Sequence, residues 1–266
     1  MQTGGASSDS EFSIELPHPI KVKGRAYVDC FLCANSFYVI RSGENDRLHI
    51  RENTDHFRIA TIVEGQYNAI TLKDALLTAL NTGRSMTGQY TVTYDITTNK
   101  LIVGNLDLSA TFHIYPTALL NNDANTQWNV PAGTGGPTID ANNLMDCGDV
   151  TGFSGNYKLN GDFLTPVTAT DVVNTQPFHQ LFLRSSLGSG YDAIGPDGSS
   201  DIVRRIICQC ALNDIIVDQH SLPYDSVTIG DREISSLSFR LTDCFSKTVD
   251  TKGHHVSFSI IFLEDD

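Results

Sequence analysis

The chain has 266 residues, 40% of them hydrophobic, with 18 Lys and Arg against 31 Asp and Glu and a formal net charge of −13. That length buries a sizeable core without crosslinks. The acidic balance argues against a direct nucleic-acid binder, which needs Lys and Arg for the phosphates. No apolar run reaches the roughly 20 residues of a membrane span.

The opening "MQTGGASSDSEFS" has neither the basic nor the apolar region of a signal peptide. Residues 1–16 read as a flexible arm of small polar residues. Strand-like runs follow, "IKVKGRAYVDCFL", "NSFYVIRSG", "RLHIREN" and "HFRIATIVEG". One stretch, "GQYNAITLKDALLTALNTG", reads as a helix. Leu72, Ala75, Leu76, Ala79 and Leu80 recur at the helical spacing of one buried stripe. Thr71 is placed to cap it, Asp74 to complete a capping box, and Gly83 to end it. Its polar face of Lys73, Asp74, Thr78 and Asn81 is an ordinary solvated face, so the helix is expected to cover a sheet.

A hairpin comes next. Val92, Tyr94 and Ile96 alternate with Thr91, Thr93 and Asp95, the turn falls on Thr97, Thr98 and Asn99, and Leu101 to Val103 return. "ATFHIYP" is another short strand, ended by Pro116. From about 117 to 168 Asn, Gly, Asp and Pro dominate and periodicity fades, which marks an insertion. It holds the one Trp, Trp128, read as an anchor for the loop. Strand patterns resume at "FHQLFLRSSLG" and run through "SDIVRRIICQCALNDIIVDQ", "REISSLSFRLTD" and "GHHVSFSIIFLEDD". In the last two, Leu237, Phe239 and Leu241 form one apolar face and Val256, Phe258, Ile260 and Phe262 another. The pair is expected to join across residues 250–253. Many short strands with irregular, long connections and no solenoid repeat point to an all-β fold, a sandwich, jelly roll or barrel, with Greek-key or jelly-roll topology favoured over an up-and-down barrel, carrying one short amphipathic helix. Residues 17–266 are expected to be a single domain carrying the insertion.

No residue is nominated as catalytic, cofactor-binding or metal-ligating. Walker, H-E-x-x-H and EF-hand patterns are missing. "GFSG" at 152–155 falls short of a nucleophile elbow, and "GSGYDAIG" at 188–195 lacks the third glycine of a dinucleotide loop. His18, His49, His56, His113, His179 and His220 are scattered. His254 and His255 are adjacent, so a strand points them to opposite faces. Cys30, Cys33, Cys208 and Cys210 have half the spacing of a zinc ribbon but lie in apolar strand-like stretches, where Cys acts as a small hydrophobe. With Cys147 and Cys244 they are expected to be free thiols, as in a reducing compartment. No N-x-S/T acceptor occurs. Arg204 and Arg205, side by side, read as an exposed face or an ion-pair partner.

"VEGQYNAITLKDALLTALNTG" followed by "YTVTYDITTNKLIV" resembles a segment of capsid proteins of tailless double-stranded DNA viruses and virus-like transposons: polintons, adintoviruses and virophages. There a strand ending in EG-x-Y leads into an amphipathic helix and a Thr/Tyr-rich hairpin. "DVTGFSG" is similar to the Leu-Gly-Phe turn that often follows. "QLFLRSSLGSGYDAIGPDGSSDIVRRIICQ" and "ISSLSFRLTDCFSKTVDTKGHHVSFSIIF" resemble their closing strands. Together these pieces cover about half the chain.

The resemblance implies a single-jelly-roll structural protein of the virion, the penton base of the fivefold vertices above other minor capsid roles. It implies a homopentamer with major capsid protein neighbours, located in a capsid assembled inside the host cell, without cofactor or enzymatic activity. The competing readings are an extracellular β-sandwich binding module, lectin-like or trimeric-cytokine-like, and an enzyme on a β scaffold.

Overall fold

Alternating apolar residues become strands nearly throughout. The computed structural model describes residues 9–54, 56–120, 145–187, 198, 200–219 and 226–263. In chain order the elements are β1 (Glu11–Val22), β2 (Arg25–Ala34), β3 (Arg47–Glu52), β4 (His56–Thr61), α1 (Ala69–Asn81), β5 (Tyr90–Asp95), β6 (Lys100–Asn105), β7 (Thr111–Tyr115), α2 (Thr117–Leu120), α3 (Gly148–Thr151), β8 (Leu159–Asp162), β9 (Val167–Thr168), β10 (Gln180–Ser185), β11 (Ile202–Ile207), β12 (Ile215–Asp218), β13 (Val227–Thr228), β14 (Arg232–Thr242) and β15 (Val256–Leu263). They fall into two compact units, Met1–Phe37 with Phe178–Asp266, and Tyr38–Pro177.

The first unit is the jelly roll. One sheet has the order β1-β14-β10-β11; in the other, β2 pairs with β15 on one side and with β12 and β13 on the other, all antiparallel. An eight-stranded double Greek key has one sheet in the order 2-7-4-5 and the other in the order 1-8-3-6. Taking β1, β2, β10, β11, the β12–β13 pair, β14 and β15 as its second to eighth strands reproduces 2-7-4-5 and 8-3-6. Among the described residues the first strand has no counterpart. The core between the sheets is built from inward positions such as Val28, Phe31, Leu181, Leu183, Ile206, Leu237, Phe239 and Leu241.

The second unit leaves the chain between β2 and β10. It holds a sheet of order β4-β3-β7-β8 and a sheet of order β5-β6-β9. Leu72, Leu76, Ala79 and Leu80 of α1 are buried and join Leu48, Ile50, Val92, Leu101, Val103 and Phe112 in one core. The helix therefore does cover sheet.

Its N-cap is not Thr71 but Asn68, one turn earlier. The Asn68 side chain accepts from the Ile70 and Thr71 amides, and the Thr71 hydroxyl returns to the Asn68 amide. This is a capping box built on Asn and Thr. Gly83 follows the helix with φ +70°, a left-handed conformation that glycine adopts without strain.

Four expectations are corrected. Residues 11–16 are no arm: Glu11–Glu15 pair with Ser236–Arg240 of β14, because Phe12 and Leu16 have core to lie against. The chain forms two units where one domain was expected, and the excursion spans Tyr38–Pro177, not 117–168. Its ordered strands alternate like those of the jelly roll, so a composition shift marks only its turn-rich part. Residues 121–144, with Trp128, lie outside the described residues. "NSFYVIRSG" contributes one isolated bridge, Ile40 to Gly65, and buries Phe37, Val39 and Ile40 without a ladder. Finally, β14 and β15 do not pair. They belong to different sheets, as a Greek-key crossing requires.

Candidate assembly surfaces

Several buried polar and charged side chains are held in structural networks. In the second unit Glu52, fully buried, receives Arg58 Nη2 at 2.7 Å, the Ser85 amide at 2.6 Å and hydroxyl at 2.7 Å, and the Tyr90 hydroxyl at 3.0 Å. Burial pushes its carboxyl up, but the Ser85 and Arg58 hydrogen bonds and the Arg58 charge outweigh it and hold it below the ordinary carboxylate range. Arg58 also donates to the Leu80 and Thr82 carbonyls at the end of α1, tying helix to sheet. His49 sits 3.6 Å from Asp146 with both side chains buried.

In the jelly roll Arg184 is buried and donates to Asp201 at 2.6 Å, Thr242 at 2.9 Å and Ser246. Arg204 makes a bidentate pair with Asp218, both contacts 2.8 Å, so this half of the Arg204–Arg205 doublet is an ion-pair partner. Bidentate pairs like this fix geometry as well as charge.

All six cysteines are free thiols. Burial pushes Cys33 up to about 11 and Cys208 up to about 12, with neighbouring thiols adding to the effect. Burial and the Asp146 charge also raise Cys147 well above the ordinary thiol value. Raised thiols are poor nucleophiles and poor ligands at neutral pH. Among the described residues no group of three or more His, Cys, Asp or Glu is placed to hold a metal ion. His220 and the 188–195 glycines lie outside the described residues.

What remains unabsorbed is exposed apolar surface. On one side of the jelly roll the edge strands β1 and β15 adjoin, with Phe12 and Phe258 ring centroids 6.1 Å apart. Ile14 and Ile20 are exposed there, paired with the buried Leu237 and Ile234 of β14, and Phe12, Leu16, Val256, Phe258, Ile260 and Phe262 are only partly covered. On the opposite side β11 and β12 adjoin. Ile207, Leu212, Ile215 and Val217 are exposed on and between them, Ile215 at 61%. In the second unit, Ile96, Leu106, Leu108 and Leu164 are exposed at turns. A soluble monomer rarely shows such clusters without a partner for them. Sequence reading placed Ile14 in the arm, Ile96 in the hairpin and Leu164 in the insertion, and did not single out the others as outward-facing apolar residues. No described helix is long and apolar enough to cross a membrane.

The class these observations define is a jelly-roll β-sandwich with a large unit inserted between its third and fourth strands. No family model and no curated protein matches the chain. Among solved structures, the crystal structure of the mavirus penton protein is similar over 96% of this chain and 91% of that one, at 9% identity and a TM-score of 0.50. The Sputnik virophage structure solved by cryo-EM aligns over 94% and 90%, at 12% identity and a TM-score of 0.34. The first likeness shows a shared fold along almost the whole length of both chains.

Proposed function

We propose that this chain is a structural capsid protein of an icosahedral double-stranded DNA virus or virus-like element. In this reading it closes the fivefold vertices as a homopentamer, against major capsid protein neighbours, in virions assembled inside the host cell. It does no catalysis and does not touch nucleic acid.

The observation that carries the reading is the pair of unlike apolar sides on the jelly roll, β1–β15 and β11–β12. A ring needs heterologous contacts, in which each subunit offers one surface to one neighbour and a different surface to the other. Obligate contacts of this kind are large and more apolar than ordinary surface. The fold shared with a penton protein supports the same conclusion.

Sedimentation across a salt series tests the proposal. At −13 per chain, like charges repel across the ring. Pentamer should therefore grow with added salt or lower pH as repulsion is screened or neutralised. A strict monomer at high protein and salt, or a closed trimer, overturns the vertex reading.

A further inference from the structure

Two connections of the second unit lie side by side at one end of it. Thr111 opens β7 opposite Asp162, the last residue of β8, so residues 106–110 ahead of β7 and 163–166 after β8 leave together. Pro166 also comes within 3.6 Å of the place a Cβ on Gly104, near the end of β6, would take. The two connections carry Leu106, Leu108, Phe163 and Leu164, all exposed, Leu108 at 79% and Leu164 at 80%. Ile96 is exposed at 78% too, but it belongs to the β5–β6 turn at the other end of β6.

Both connections are held by their own groups. Asp107 accepts from the Ser109 amide and hydroxyl at 2.9 and 2.8 Å and from the Thr87 hydroxyl. Asp162 accepts from the Leu164 and Thr165 amides at 2.8 and 2.7 Å. The Leu106 amide donates to the Gln89 carbonyl, the Asp107 amide to the Asn105 side chain, the Ala110 amide to the Asp107 carbonyl and the Asp162 amide to the Thr165 carbonyl. Pro166 has no amide to satisfy. The leucines thus stand on turns that bring their own hydrogen bonds.

We propose that this end of the second unit binds a zwitterionic lipid surface, with Leu106, Leu108, Phe163 and Leu164 set into its interfacial layer. The inference rests on the second unit alone and not on the vertex role. Two observations favour lipid over a protein partner. Any apolar phase rewards burial of these side chains, but a protein partner can supply hydrogen bonds to the turns it covers and hydrocarbon cannot. Turns whose amides are already paired meet the stricter condition. The second observation is charge. Hydrogen bonds from Thr87 and Ser109 hold the Asp107 carboxyl down at about 2, and those from Thr165 and Leu164 lower Asp162. Both stay ionised beside the leucines, on a chain that carries −13 in all. Anionic headgroups repel such a surface, whereas neutral ones leave the apolar contact to act by itself.

Flotation of the full chain with phosphatidylcholine vesicles tests this. Wild type should rise with the vesicles, and its partitioning should be insensitive to salt. Leu108→Asp with Leu164→Asp should cut partitioning by roughly tenfold or more, whereas Ile96→Asp should leave it unchanged. Adding phosphatidylserine to the vesicles should weaken wild-type binding, and salt should restore it. Unfolding midpoints keep the comparison on folded protein; if the Asp pair lowers them, Leu108→Ser with Leu164→Ser makes the same test without added charge. Wild type left behind at millimolar lipid overturns the proposal and leaves a protein pocket as the partner. Equal loss from Ile96→Asp overturns it as well, and so does binding that is confined to anionic vesicles and abolished by salt.

Discussion

Replacing Glu52 by Gln removes one charge from the centre of the second unit and little volume. Four donor atoms from three residues converge on this carboxylate besides Arg58 Nε at 3.2 Å. An amide retains acceptor capacity on one oxygen but turns its nitrogen against donors, so at least one buried donor loses its partner. That costs about 1–3 kcal/mol. Arg58, its side chain only 11% exposed, also loses its counter-charge. Breaking a buried pair from one side costs about 3–5 kcal/mol in the strongest cases. A loss of about 3 kcal/mol is the expected outcome for the transition that unfolds residues 38–177, read by denaturant titration followed by circular dichroism.

The pH dependence gives a second, independent reading. The Glu52 carboxyl is held below its unfolded value. Its ionised form therefore contributes stability that is present above the unfolded pKa and lost as pH falls through the folded one. The wild-type advantage over Glu52→Gln should be full at pH 7 and should shrink as the pH drops below the ordinary carboxylate range. A variant as stable as wild type at pH 7, or a gap that does not narrow in acid, would refute the assignment of Glu52 as the charged centre of the network.

Three further outcomes follow from packing and burial. Leu76→Ala, at a fully buried position of α1, should cost about 2–5 kcal/mol; an unchanged unfolding midpoint sinks the claim that this face is core. Gly161→Ala pushes a methyl into the Phe112 ring and should cost about 1–3 kcal/mol by overpacking, whereas a neutral result would mean that β8 is not held against β7. In thiol titration of the native protein at pH 8, the buried Cys33, Cys147 and Cys208 should react only on unfolding, after the half-buried Cys30, Cys210 and Cys244; early modification of Cys208 would contradict its burial.

Much of this architecture is legible in the residues, and the reason is local. The alternation of Val256, Phe258, Ile260 and Phe262 is a property of eight consecutive residues, and so is the stripe of α1. The hairpin of β5 and β6 is also local, with Asn99 in the left-handed turn at φ +55°. Pairing is not local. β14 and β15 look like the two arms of a hairpin, and only the sandwich separates them into different sheets. The two-unit division is equally hidden, because Leu48, Ile50 and Phe112 carry the same pattern as Leu181, Leu183 and Phe239 while building a different core. The Asn68 cap was legible in principle, since Asn-x-x-Thr offers the same reciprocal bonds as the commoner box; Thr71 drew attention because it adjoins the first apolar residue. The assembly surfaces were least legible. Ile215 and Val217 belong to an apolar run, and a run reports hydrophobicity without reporting which edge of which sheet it occupies.

The two-sided surface makes a prediction that distinguishes a ring from any two-fold assembly. Ile215→Asp with Val217→Asp damages the β11–β12 side, and Ile14→Asp with Ile20→Asp damages the β1–β15 side; all four residues are exposed, so the fold should tolerate the changes. In a heterologous ring every contact joins one side of each kind. Either double variant alone therefore has no intact contact and should sediment as monomer. Mixed, the two variants can still form one sound contact, between the intact side of one and the intact side of the other. Growth stops there, because both outer faces of that pair are damaged, so the mixture should give heterodimers and no pentamer. An isologous contact behaves differently: if one side paired with its own copy, damage to the other side would leave a homodimer in the unmixed variant. Each apolar side chain withdrawn removes up to about 1.5–3 kcal/mol from a contact that fully buries it, enough to separate these species at micromolar concentration. Heterodimers confined to the mixture identify the ring; homodimers of either variant alone, or pentamers from both, show that the sides named here are not the ones that meet.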